Sequence, residues 1–138
     1  MKVHERFRMS DPEILGVDAS WEDPREPRAN WYVSYAPELE EDAQGRVLLA
    51  TLHVVGKSSS GSIRLAALLH DSLDGGDPEA FESDLAASNA LNTLYAFARS
   101  GLRTVFAVVG VDAEVPEESP GPEIDQLVRS EEAKDESE

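Results

Sequence analysis

Residues 77–110, DPEAFESDLAASNALNTLYAFARSGLRTVFAVVG, decide how this chain folds. Leu91, Leu94, Tyr95, Ala98, Leu102, Val105, Phe106 and Val109 recur at intervals of three and four, on one face of a 3.6-residue repeat. The ends are marked as well. Asp77 supplies a capping oxygen, Pro78 is pre-set for the first helical position, and Gly110 suits the left-handed residue that stops a helix. The stretch predicts one long helix with a buried stripe. Beside the stripe runs a row of small or thin residues: Ala87, Ala90, Thr93, Phe97, Gly101, Thr104 and Val108. A glycine inside a helix costs about 1 kcal/mol relative to alanine, so Gly101 implies that something packs closely against it. Two readings are open. Either Ala90, Phe97, Gly101 and Thr104 meet a second subunit, or the helix has a wide core face within one subunit.

Four extended segments precede the helix. Residues 13–22 alternate, with Leu15, Val17, Ala19 and Trp21 on one side and Asp18, Ser20 and Glu22 on the other. Residues 31–35, Trp-Tyr-Val-Ser-Tyr, are β-branched and aromatic types that favour strands. Residues 47–55 are apolar except for Thr51 and His53, as expected of a central strand covered on much of both faces, and 63–69 repeat that pattern. The connections at 23–28, 37–45 and 71–77 carry the prolines, acids and glycines of exposed turns. Residues 1–12 show no strong period and read as a lead-in arm. After the helix, 111–122 carries three prolines and reads as an extended surface segment. Pro122 then opens a short helix in which Ile124, Leu127 and Val128 share a face. The fold class is α+β: a four-stranded antiparallel sheet, one long helix and a short C-terminal helix. One domain spans 1–129, and the almost wholly polar 130–138 predicts a disordered acidic tail.

The 138 residues suffice for one core, and 28 acids against 12 basic residues set a net charge of −16. Such a surface repels phosphate backbones and anionic lipid, which argues against nucleic-acid or membrane partners and favours basic stretches of polypeptide. Simple solubility would account for the charge equally well. The chain has no cysteine, which excludes disulfides and thiolate metal sites. Without an apolar run near eighteen residues or a leader pattern, the expected location is the cytoplasm.

No residue pattern supports catalysis. His4, His53, His70 and Asp71 are the candidates, yet they form no metal-ligand spacing, no nucleophile elbow and no phosphate loop. The expectation is a protein without enzymatic activity, cofactor or metal. A binding role needs exposed apolar surface, and Trp21, Trp31, Tyr32, Tyr35, Tyr95 and Phe97 offer large, stiff, amphipathic area. A free strand edge would add backbone hydrogen bonds to any partner sequence. The opposing expectation is that at least half of these aromatics are core.

Three local stretches resemble the SecB-type preprotein chaperones. Residues 18–24, Asp-Ala-Ser-Trp-Glu-Asp-Pro, are similar to that family's Asp-Ile-Ser-Phe-Glu-Ala-Pro. Residues 91–99 share Asn92, Leu94, the aromatic pair, Ala98 and Arg99 with its helix core, although Ala96 stands where the family has proline. Pro120 followed by Ile124-Asp125-Gln126-Leu127-Val128 resembles its final helix. The resemblance implies an ATP-independent holdase for unfolded or preprotein chains, assembled as a homotetramer, a dimer of dimers, and delivering clients for export. Asp18 and Glu22 match the acids by which such chaperones contact a SecA-type motor. The family also includes regulators of toxin–antitoxin systems, so a dedicated adaptor for one client such as an antitoxin is the second implication. A small hydrolase or ligand-binding domain on the same sheet is the third reading.

Overall fold

The two most apolar runs become the two central strands, and the other elements are placed by how they pair with or cover those strands. The computed structural model describes residues 6–21, 26–36, 45–71, 77–111 and 113–127. In chain order the elements are β1 (Phe7–Met9), β2 (Glu13–Trp21), β3 (Arg28–Tyr35), β4 (Arg46–Val55), β5 (Ser59–Asp71), α1 (Pro78–Ala86), α2 (Asn89–Val109) and β6 (Pro122–Gln126). β4 pairs antiparallel with β5 and with β3. β1 and β2 follow one another along the far side of β5, and β6 lies parallel to β3 at the opposite edge.

Alternation does the sorting. Trp31, Val33 and Tyr35 of β3, Leu48, Ala50, Leu52 and Val54 of β4, and Ile63, Leu65, Ala67 and Leu69 of β5 all point to one buried face. Onto it α2 lays Leu91, Leu94, Tyr95, Ala98, Leu102 and Phe106. Each large aliphatic side chain so buried contributes roughly 1.5–3 kcal/mol relative to exposure. The stripe read from the sequence packs from Leu91 to Phe106, with Val105 half-buried, while its last member, Val109, is exposed. Its stop is also as expected, with Gly110 at φ 82° and its N–H donating to the Phe106 carbonyl.

The α+β class holds, with a sheet of six strands, mixed in direction, in place of four antiparallel ones. The expected arm contains β1, whose Phe7 is buried. The long helix is two helices. Asp77 and Pro78 start α1 as expected, but the chain breaks at Ala87 and Ser88 and restarts. Ser88, fully buried, donates its hydroxyl to the Leu85 carbonyl (2.7 Å) and accepts from the Leu91 N–H (3.1 Å), ending one helix and capping the next. The short C-terminal helix is instead β6. Pro122 and Ile124 sit beside Trp31 and Val33, and the backbone groups that a helix would use internally pair with β3. Val128, the tail 130–138 and the stretches 22–25, 37–44 and 72–76 lie outside the described residues.

Gly101 faces the sheet. A Cβ there would stand 2.6 Å from the Ile63 Cδ1, so the glycine serves close approach of α2 to β5 within one subunit. Gly101→Leu is expected to lower stability by about 1–3 kcal/mol through overpacking, with Ile63→Ala in the same chain restoring part of the loss. Urea midpoints measure both, and an unchanged midpoint would return Gly101 to a subunit interface.

Polar contacts hold α1 down. Arg6 donates two hydrogen bonds to the Asp71 carboxylate (2.7 and 2.8 Å) and one to Asp84 of α1 (2.6 Å). Its guanidinium lies over the rings of Phe7 and Phe81, and that of Arg46 also covers Phe81. The Tyr35 hydroxyl donates to Glu82 at 2.6 Å. Burial, and then this hydrogen bond, push the Tyr35 phenol up to about 12. A phenol raised above its unfolded value, about 10, contributes stability that is complete below that pH and is lost as pH rises toward the folded value. Stability should therefore fall between about pH 10 and pH 12, and fall less steeply in Tyr35→Phe. Tyr95, whose phenol burial also raises, supplies part of the remaining slope. Urea midpoints on either side of that window test the difference.

Candidate functional site

The aromatic residues divide into two groups. Trp31, Tyr35 and Tyr95 are 1–3% exposed and belong to the core. Trp31 and Tyr95 meet edge to face with centroids 5.4 Å apart, and Tyr35 leans on Phe81 at 4.8 Å. Trp21, Tyr32 and Phe97 are exposed, at 60%, 40% and 38%. They do not form one patch. Tyr32 sits on the sheet face away from the helices, in register with Thr51. Phe97 points outward from α2. Trp21 ends β2.

The apolar surface gathers along β2. Its pairing with β5 slips between Ile14 and Gly16, so Leu15 is extra, and Ile14 in its place shares the helix-side face with Val17, Ala19 and Trp21. Ile14 and Leu15 are about half exposed. Among the described residues no strand pairs with the outer side of β2. At its far end Ala19 is in register with Gly61, against which Phe106 of α2 packs, and the next pair on that face is Trp21 with Ser59. The exposed Val108 and Val109 close α2 at this same end. The result is an edge strand whose outer backbone groups are unpaired among the described residues, with large exposed side chains at both ends.

The expected subunit row is divided likewise. Ala90 is buried, Gly101 meets Ile63, and only Phe97 and Thr104 face outward; the Thr104 hydroxyl donates to the Ser100 carbonyl. The outward face of α2 joins Thr93, Ala96, Phe97, Ser100, Thr104, Ala107 and Val108, with no acid in the whole helix. Asp18 lies on the outer sheet face, exposed, and accepts from the Ser62 hydroxyl across the strand pair (2.8 Å). Glu22 lies outside the described residues.

A cleft of about 1060 Å³ opens between the C-terminal half of α2, the start of β3 and the segment after α2. That segment is not simply surface, since Val111 and Val115 are buried anchors. Tyr95 donates its hydroxyl to the Pro116 carbonyl (2.7 Å), and Arg99 donates Nε to the carbonyls of Val115 and Pro116 (3.3 and 3.0 Å). The one sequence signal for this cleft is that Arg99 and Arg103, four apart, are the only charges in α2. The polar candidates for chemistry stay apart. His53 and His70 lie on the outer sheet face, Asp71 is bound by Arg6, and His4 lies outside the described residues. Among the described residues no three His, Cys, Asp or Glu side chains converge to hold a metal, and no helix is long and apolar enough to cross a membrane.

No protein-family model and no curated protein matches the sequence. Among solved structures the chain is similar to the Mycobacterium tuberculosis Rv1957 SecB-like chaperone, in complex with a ChAD peptide from the Rv1956 HigA1 antitoxin. The TM-score is 0.58 at 17% identity, over 85% of this chain and 96% of that one. It is also similar to a Streptococcus agalactiae protein of unknown function, with a TM-score of 0.50 at 14% identity, over 82% of this chain and 97% of the other. The fold is SecB-like.

Proposed function

We propose that this chain is an ATP-independent chaperone that holds extended or unfolded polypeptide. The observation that carries the reading is the edge of β2, unpaired among the described residues, in a SecB-like fold, with Ile14, Leu15 and Trp21 exposed along it. An extended client added there gains main-chain hydrogen bonds whatever its sequence, while the apolar side chains supply non-directional attraction. The test is suppression of aggregation of several unrelated unfolded proteins at stoichiometric amounts without nucleotide. Turnover of a small substrate would point instead to an enzyme.

A dedicated adaptor for one client is the second reading, favoured by the antitoxin peptide bound to the similar M. tuberculosis chaperone. Suppression confined to a single client would select it. For assembly, the uncharged outward face of α2, with Phe97, Thr104 and Val108, is the surface through which a dimer of dimers would form in the cytoplasm. Export through a SecA-type motor would use Asp18 and Glu22. Replacing both by alanine should then weaken motor binding in a salt-dependent way and leave aggregation suppression intact.

A further inference from the structure

We propose that the cleft beside α2 takes an acidic stretch of extended polypeptide, an inference that rests on the polypeptide-binding function proposed above. The floor of the cleft is apolar, with Val55, Phe106, Val111 and Val115 among its lining. Around it stand Arg28 from β3, Lys57 from the turn between β4 and β5, and Arg99 and Arg103 from successive turns of α2. Two acids, Glu114 and Glu117, line the same cleft. In the chain as a whole acids outnumber basic residues 28 to 12, and here the ratio is reversed.

Three of the four cations are uncommitted. Arg28, Lys57 and Arg103 make no hydrogen bond or ion pair among the described residues. Arg99 spends its Nε on the carbonyls of Val115 and Pro116, neutral partners that fix the guanidinium without cancelling its charge. Cations gathered in a concave surface with apolar walls focus their field into it, and a carboxylate there gains charge-assisted hydrogen bonds. The net charge of −16 opposes the approach of an acidic chain, but only over a Debye length of roughly 8 Å in physiological salt. Inside the cleft the nearest charges decide. The selectivity should therefore appear in dissociation more than in association. A volume of about 1060 Å³ matches several residues of extended chain, with apolar side chains on the floor and acids toward the rim.

Three labelled peptides of equal length and identical apolar residues, spaced by Glu, Gln or Lys, test this on the full chain by fluorescence anisotropy. The Glu peptide is expected to bind about tenfold tighter than the Gln peptide, with the difference shrinking as salt is raised. In Arg28→Gln with Lys57→Gln and Arg103→Gln the difference should vanish, with an unchanged circular-dichroism melt showing that the fold is kept. Equal binding of the Glu and Gln peptides, tighter binding of the Lys peptide, or a preference for Glu that survives the triple substitution would each overturn the proposal while leaving polypeptide binding standing. Failure to bind any of the three, together with failure to hold unfolded proteins, would remove both. A variant with Glu131, Glu132, Glu136 and Glu138 changed to Gln and Asp135 to Asn separates a last outcome. If the Glu peptide binds only that variant, the occupant is the chain's own acidic end and the proposal fails.

Discussion

Trp31→Ala is expected to lower the unfolding free energy by about 3–5 kcal/mol, the range for removing a large buried aromatic, whereas Trp21→Ala should change it by no more than about 0.5 kcal/mol. The two tryptophans begin as equivalent candidates for client contact. Trp31 is 1% exposed, packs against Tyr95 and sits in register between Leu52 of β4 and Pro122 of β6, so its removal opens a cavity where two strands and a helix meet. Trp21 is 60% exposed and leaves only surface behind. In binding assays the order reverses: Trp21→Ala should weaken the holding of unfolded protein at unchanged stability. Denaturant curves and aggregation suppression on the same two variants check it. A stable Trp31→Ala that no longer holds client would put Trp31 back on the binding surface.

Arg6→Ala should cost about 3 kcal/mol. Removing one member of a buried, hydrogen-bonded ion pair is strongly destabilising because the other keeps its desolvation penalty. The Arg6 and Asp71 side chains are 6% and 5% exposed, while Asp84, at 34%, remains partly solvated and adds less. Arg6→Lys keeps the charge but not the two-pronged contact with Asp71, and should lose less than alanine and more than nothing. The damage has a location. Faster hydrogen exchange is expected in β1 and α1, which Arg6 ties to the end of β5, before it appears in β4. Uniform acceleration across the sheet would mean that this corner is not a separate unit.

What could be read from the sequence was what neighbouring residues decide. The α2 stripe, the Asp77–Pro78 start, the Gly110 stop and the two central strands all follow from local period and local caps. What failed was decided at a distance. Ile124, Leu127 and Val128 have helical spacing, yet Pro122–Gln126 is extended because β3 offers it a ladder, and nothing near residue 122 announces that. Gly101 declared a close neighbour without saying which, and Ile63 of β5 is as good a reason for a glycine as a second helix would be. The helix break carried a usable signal, a serine in capping position at 88, which the continuous stripe concealed. In the candidate site, alternation along 13–21 put Asp18 on the outer face, but the bulge at Leu15 and the exposure of Trp21 on the helix-side face are not set by that alternation. The cations of the cleft come from three elements far apart in the chain and meet only once the sheet has formed.

The parallel strand β6 also bears on how the protein is made. Strands β1 to β5 and α2 are complete before residue 122 is synthesised, so the sheet can assemble with the outer edge of β3 still open, and Pro122 closes it last by pairing beside Trp31. Contacts this distant in sequence form slowly, and an open central strand is vulnerable to self-association meanwhile. Once in place, β6 is a poor template for another chain: it has five residues, begins with proline and carries Glu123 and Asp125. The opposite edge, β2, has nine residues and, although it carries Glu13, Asp18 and the bulge at Leu15, it exposes Ile14, Leu15 and Trp21. The nascent sheet thus begins with two edges open to strangers and ends with one.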